Sequence, residues 1–199
     1  MLDALKSWDT WLFLKINGSW TNSFLNNVFP MWREAYAWVP LYVFLLAFIL
    51  INFGRRGWPW MITLILTAII TDQGSNMIKD LVGRPRPCND DVLGPYVHLL
   101  LNRCPSSFSF TSNHAANHFG AACMLYFTLK PYIKKWATLF FVWAATVAYA
   151  QVYVGVHYPL DIISGAVFGS LMGCLTAYLF NNFVGLQPVL QKQQTAGLQ

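Results

Sequence analysis

Apolar residues in this chain fall in long runs separated by short polar or basic breaks. Tyr36–Phe53 is the first, 18 residues without a charge, close to the roughly 20 that carry a helix across a bilayer. Gly54-Arg55-Arg56-Gly57 interrupts it, and a second run extends from Trp58 to about Val82. Its halves differ. Trp60–Ile70 is plain hydrocarbon, whereas Asp72, Ser75, Asn76 and Lys79 recur at spacings of three and four and so share one helical face. Polar groups at membrane depth are costly, and such a face is expected to border an interior cavity. A third run begins near Ser112 and ends at Leu129, a fourth spans Trp136 to about Tyr153, and a fifth spans Pro159 to about Val184. Leu81–Arg103, rich in Pro and Gly, reads as the loop before the third run, and Lys130–Lys135 as the turn after it. Gly165, Gly169 and Gly173 recur every four residues in the fifth run. That seam of small residues lets a second helix approach closely.

The first 35 residues follow a different pattern. Leu2, Leu5, Trp8, Leu12 and Ile16 alternate with Asp3, Lys6 and Asp9 at helical spacing, which predicts an amphipathic helix lying in the membrane interface. Asn17-Gly18-Ser19 is expected to break it, and Thr21–Arg33 to form a second short segment that does not cross. The pattern therefore predicts an all-α, polytopic membrane bundle of five spans. Residues 1–35 supply interfacial helices, 36–185 the transmembrane domain, and 186–199 a flexible tail that is Gln-rich from Gln187.

Composition agrees with a membrane protein. Hydrophobic residues make up 56% and charged residues only 11%, less than half the roughly 25% of soluble domains. Nine Trp and nine Tyr suit interfacial belts. The net charge of +5 could suggest an anionic partner. In a membrane chain, however, loop cations first report topology: Arg55, Arg56, Lys130, Lys134, Lys135 and the tail Lys192 share one side, which the positive-inside rule makes cytoplasmic. The loop of residues 82–111 and the stretch Ala150–Asp161 then lie outside. No basic stripe or binding motif points to nucleic acid. Met1–Thr10 lacks the basic start and apolar core of a signal peptide. Cys88 and Cys104 bracket the outer loop, where an oxidising compartment would permit a disulfide, while Cys123 and Cys174 read as packing thiols. No Cys/His cluster has zinc spacing, so neither a metal nor another cofactor is expected.

Three polar clusters meet at the outer ends of the spans. Lys79, Arg84 and Arg86 form the first, which alone could be a basic membrane edge. Ser112, Asn113 and His114 open the third span, where unpaired N–H groups and the positive dipole end make an anion cradle that is compatible with Ser112 acting as an N-cap. His157 and Asp161 flank Pro159 at the start of the fifth span. The pair could cap a helix, or the aspartate could orient the imidazole and leave its other nitrogen free as nucleophile. Two histidines, an aspartate, several cations and a helix N-terminus together suit phosphoryl transfer without a metal.

The order Lys79-x6-Arg86-Pro87, then Ser112-x-His114, then His157-x3-Asp161 resembles the type 2 phosphatidic acid phosphatase (PAP2) superfamily over about residues 60–180. The resemblance implies a core like that of the soluble vanadium haloperoxidases. It implies His157 as a nucleophile forming a phosphohistidine, Asp161 orienting it and His114 protonating the leaving group. Lys79, Arg86, Ser112 and Asn113 would bind phosphate, with Gln151 able to donate one neutral hydrogen bond. Two motifs depart from the family pattern: Thr111-Ser112-Asn113-His114 stands where it carries Pro-Ser-Gly-His, and Ala150-Gln151 where it carries Ser-Arg. The family arginine contacts phosphate, so Gln151 removes a bidentate partner; Arg84, Arg103, Asn113 and His118 are the candidates to compensate. His118, one turn after His114, reads as a packed histidine.

The implied function is hydrolysis of a lipid phosphate or diphosphate at the outer face of a bacterial inner membrane. Undecaprenyl diphosphate is the first expectation, followed by phosphatidylglycerol phosphate, phosphatidic acid and lipid A. The partners are then the bilayer and the lipid substrate. A lipid-phosphate-binding protein of weakened activity and a lipid transporter using the Asp72–Lys79 stripe are the alternatives.

Overall fold

The structure, a computed structural model, describes residues 2–187, and every regular element among them is helical. The expected tail from residue 188 on, including Lys192, lies outside the described residues. Seven α-helices follow in order: α1 (Leu2–Leu14), α2 (Ser23–Trp32), α3 (Val39–Phe53), α4 (Gly57–Val82), α5 (Asn113–Ile133), α6 (Leu139–Tyr153) and α7 (Pro159–Phe183).

Among the described residues, three helical stretches are long and apolar enough to cross a membrane: Ala35–Asn89, Asn113–Tyr153 and Pro159–Phe183. The first contains α3 and α4, joined by a tight turn at Gly54–Arg56, and the second contains α5 and α6, joined at Lys134–Thr138. Five apolar helices are thus present where five runs were read, but length and composition single out three stretches. α5 also runs through Pro131 to Ile133, four residues past the expected end at Leu129, so the turn begins at Lys134 instead of Lys130.

The core is built on α5, which packs against α4, α6 and α7. Its contact with α7 is the most extensive helix pair among the described residues, because Gly165, Gly169 and Gly173 bring the two backbones together. A Cβ added at Gly169 would overlap the Ala116 carbonyl, one at Gly173 the Gly120 carbonyl, and one at Gly165 would stand 2.6 Å from the Ser112 oxygen. Below the site, Leu45, Ile49, Trp60, Met124, Leu125, Leu129 and Val147 fill the space between helices. The Trp60 indole donates to Thr128 Oγ1 at 2.8 Å, which satisfies a polar atom that would otherwise be stranded in hydrocarbon.

The N-terminal helices depart from the interfacial expectation. Leu5, Trp8 and Trp11 do face outward, but Asp9 is fully buried together with Phe13 and Ile16. Asp9 lies under α7, where its Oδ1 accepts the Leu160 N–H at 2.8 Å and its Oδ2 pairs with Arg84 at 2.6 Å. Nor does Asn17 break the helix: residues 15–19 continue as one wider π-type turn. The Asn17 side chain accepts from His98 N–H and donates to the carbonyls of His98 and Tyr153, each at 2.8 Å. The N-terminal segment is therefore fastened both to the outer loop and to the end of α6.

Candidate active site

The helix ends converge at the pole opposite the basic turns. At that pole lie the last turn of α4 with Lys79, the loop of residues 83–112, the first turn of α5, the end of α6 with Gln151, and the Val154–Tyr158 link into α7. At the other pole Arg56 donates to the Val184 carbonyl at 3.1 Å, and Tyr132 Oη to that of Leu186. Site and basic turns are thus separated by the length of the bundle.

His157 is buried at 2% exposure, between Arg86 and Asp161. Arg86 Nη1 donates to His157 Nε2 at 3.0 Å and to the Val156 carbonyl at 3.0 Å, while its Nε and Nη2 are held by the carbonyl and hydroxyl of Ser107 at 2.8 and 2.9 Å. A guanidinium is always a donor, so Nε2 presents its lone pair and the proton of the neutral ring sits on Nδ1. Burial, reinforced by the charges of Arg86 and Lys79 and opposed by Asp161, pushes the His157 pKa down to about 4. The imidazole is therefore neutral at physiological pH, the form in which Nε2 is nucleophilic.

Asp161 sits four residues on, as its spacing implied, but its Oδ2 is 3.6 Å from His157 Nδ1, beyond hydrogen-bonding distance. The Ser109 hydroxyl lies between them, donating to Asp161 Oδ2 with its oxygen 3.4 Å from Nδ1. Asp161 also accepts the Tyr158 N–H at 2.8 Å and pairs with Arg84 Nη1 at 2.8 Å. The capping contact of this aspartate is thus present, while Ser109 stands between its carboxylate and the imidazole. Arg84 bridges Asp161 and Asp9 and stacks 3.7 Å above the Tyr158 ring. Its charge is used there, so it is not free to replace a lost phosphate ligand.

The remaining expected residues divide. Lys79, 4% exposed, lies within electrostatic reach of Arg86 and Asp161. Ser112 caps α5, its Oγ facing the Ala115 N–H, while its own N–H donates to the Asp161 carbonyl at 3.1 Å. The start of α5 is thereby locked to the first turn of α7. His114 is half-buried and within electrostatic reach of Arg33, His118, His157 and Lys79. Asn113 turns its side chain away, donating to Asp72 and Asn76 at 2.8 Å and accepting from Ser75 at 2.9 Å. Thr71 and Asn117 complete this network. The polar stripe of α4 is thus matched by polar residues of α5 across a helix contact, and what Asn113 offers the site is its backbone N–H. His118 packs on Trp143, ring centroids 4.8 Å apart, with Nδ1 against the His114 carbonyl.

Gln151 is fully buried, and its Oε1 accepts from Arg33 Nε at 3.1 Å. Arg33, Ser107 and Ser109 are the site residues that sequence reasoning missed. A Ser-rich stretch, Ser106-Ser107-Phe108-Ser109, was visible but had no spacing to mark it. Cys88 and Cys104 form a disulfide, Cα atoms 5.9 Å apart, which ties the chain two residues after Arg86 to the stretch three residues before Ser107. Among the described residues no group of three or more His, Cys, Asp or Glu could hold a metal ion.

Comparisons with known proteins identify the family and the fold. The chain is 33% identical over 183 residues to the lipid A 4'-phosphatase of Bacteroides thetaiotaomicron, covering 90% of this chain and 80% of that protein. It is 31% identical over 145 residues to the undecaprenyl-diphosphatase of Sulfolobus acidocaldarius, covering 72% and 64% respectively. The crystal structure of Aquifex aeolicus LpxE superimposes with a TM-score of 0.63 at 27% identity, covering 84% of this chain and 93% of that one. The PAP2 superfamily model matches residues 56–184, from the start of α4 to the end of α7, and the chain, a multi-pass membrane protein, belongs to that superfamily.

Proposed function

We propose that this PAP2 member is a metal-independent lipid phosphatase that works through a phosphohistidine on His157, at the outer face of a bacterial inner membrane. The observation that carries this reading is the neutral, buried His157 with its Nε2 lone pair held against Arg86. In the first step Nε2 attacks phosphorus, the P–Nε2 bond forms, the P–O bond to the lipid breaks, and His114 gives its proton to the leaving oxygen. Arg86 passes from Nε2 to a phosphoryl oxygen and joins Lys79 and the N–H groups at the start of α5. The Nδ1 proton, facing Ser109 and Asp161, stabilises the ring as it gains charge. In the second step water attacks phosphorus and returns a proton to His114, releasing inorganic phosphate and free Nε2.

The basic turns at the far pole and the Cys88–Cys104 disulfide beside the site support an outward orientation. For the substrate, the longer and closer match to a lipid A 4'-phosphatase favours a lipid A phosphate over undecaprenyl diphosphate. Purified protein in nanodiscs, offered lipid A, undecaprenyl diphosphate, phosphatidylglycerol phosphate and phosphatidic acid, tests both levels. Phosphate release is expected from lipid A at the highest kcat/KM. A higher value for another lipid overturns the substrate, and no release from any overturns the reaction.

A further inference from the structure

Arg33 ends α2, a segment outside the 56–184 core, yet its side chain is nearly buried at the catalytic pole. Gln151 holds its Nε from beneath at 3.1 Å, and Glu34 pairs with Nη1 at 2.9 Å from a partly exposed position. Its Nη2 carries no hydrogen bond to the described residues. Three features bear on what that remaining donor edge can reach. Arg33 is close enough to act electrostatically on both His114 and Arg86. It lines a cavity of about 540 Å³ that extends along Arg103 and Cys104 to Ser107, the residue that grips Arg86. Beneath it the fully buried Gln151 leaves Nε2 without a partner among the described residues, an orphaned donor that is unfavourable unless something accepts from it.

The balance of charge points the same way. Lys79, Arg86 and Arg33 are all buried around the two histidines. Of the carboxylates nearby, Asp9 and Asp161 pair with Arg84, Asp72 is held by Asn113, and the partly exposed Glu34 pairs with Arg33. Three buried cations with so few carboxylates free to pair are unfavourable, a cost that an anionic ligand would relieve. A phosphoryl group with three peripheral oxygens matches three cations.

Resting on the proposed phosphatase reading, we infer that Arg33 is a phosphate-binding residue of this site, held in place by Gln151, so that an arginine from the N-terminal segment supplies the guanidinium that position 151 does not. Gln151 is then a positioning residue that contributes Nε2 as a second, neutral donor.

Orthovanadate, a phosphate-like oxyanion, tests this without turnover. Its affinity is measured by titration on the full-length protein in nanodiscs, with thermal unfolding as a check of folding. Arg33→Gln is expected to weaken vanadate binding about tenfold to a hundredfold, the worth of a charged hydrogen bond. Adding Gln151→Arg to that variant is expected to restore most of the loss. Unchanged affinity in Arg33→Gln overturns the proposal, as does a loss that Gln151→Arg does not relieve, since Arg33 would then serve the fold. Should Arg33→Gln fail to fold, Arg33→Lys keeps the charge and loses the planar donor edge; a several-fold loss supports the proposal and unchanged affinity overturns it. Wild-type protein that binds vanadate but hydrolyses no lipid would sink the phosphatase reading while leaving this result to stand.

Discussion

His157 has a donor on one nitrogen and an acceptor network on the other, and its chemistry follows from that asymmetry. Arg86 holds the Nε2 lone pair, while Ser109 and Asp161 face the Nδ1 proton. Burial lowers the His157 pKa from the ordinary 6.5 to about 4. A lowered value favours the neutral form, so the nucleophile is lost only as pH falls through about 4. The acid limb that the enzyme itself contributes to kcat/KM, which reports the free enzyme, is therefore expected near pH 4, read after division by the substrate's own ionisation. A limb at pH 6.5 would mean that the ring titrates as if in water. The pairing of His157 with Asp161 was legible from their spacing. Ser109 was not, because nothing in a Ser-rich loop says which hydroxyl folds back onto a carboxylate 52 residues away.

Helices were legible where one physical cause dominated. Long apolar runs located α3 to α7 to within a few residues, and the small-residue seam of α7 located the helix contact that brings Ser112 against Asp161. Gly169→Ala puts a methyl group into the Ala116 carbonyl; overpacking of this kind costs about 1–3 kcal/mol, and the strain falls on the α5–α7 register that sets the site. A clear drop in thermal midpoint is expected for Gly169→Ala. Gly18→Ala, where an added Cβ meets nothing within 4 Å, serves as the silent control. Equal midpoints for the two variants would remove the seam from the account. The face of α1 was misjudged because periodicity assigns a charged residue to the polar side. Asp9 is instead neutralised by Arg84, 75 residues away, and no local pattern carries information about such a partner.

At the scale of the whole molecule, the fold gathers at one pole the ends of α4, α5, α6 and α7, which are far apart in the sequence, and fastens the N-terminal segment over them. The three motif clusters were legible because each is compact in sequence. The contact of Arg33 with Gln151 joins residues 118 apart, and the sequence showed only the gap that it fills, a glutamine in an otherwise cationic site. On the proposed reading these groups serve a single reacting atom, Nε2 of His157. The most direct measurement is a rapid acid-free quench of the protein with a 32P-labelled lipid phosphate, read for phosphate bound to the polypeptide. Wild-type protein is expected to yield an acid-labile phosphoenzyme that disappears, together with turnover, in His157→Ala. Phosphoenzyme or substantial phosphate release persisting in that variant would contradict the account.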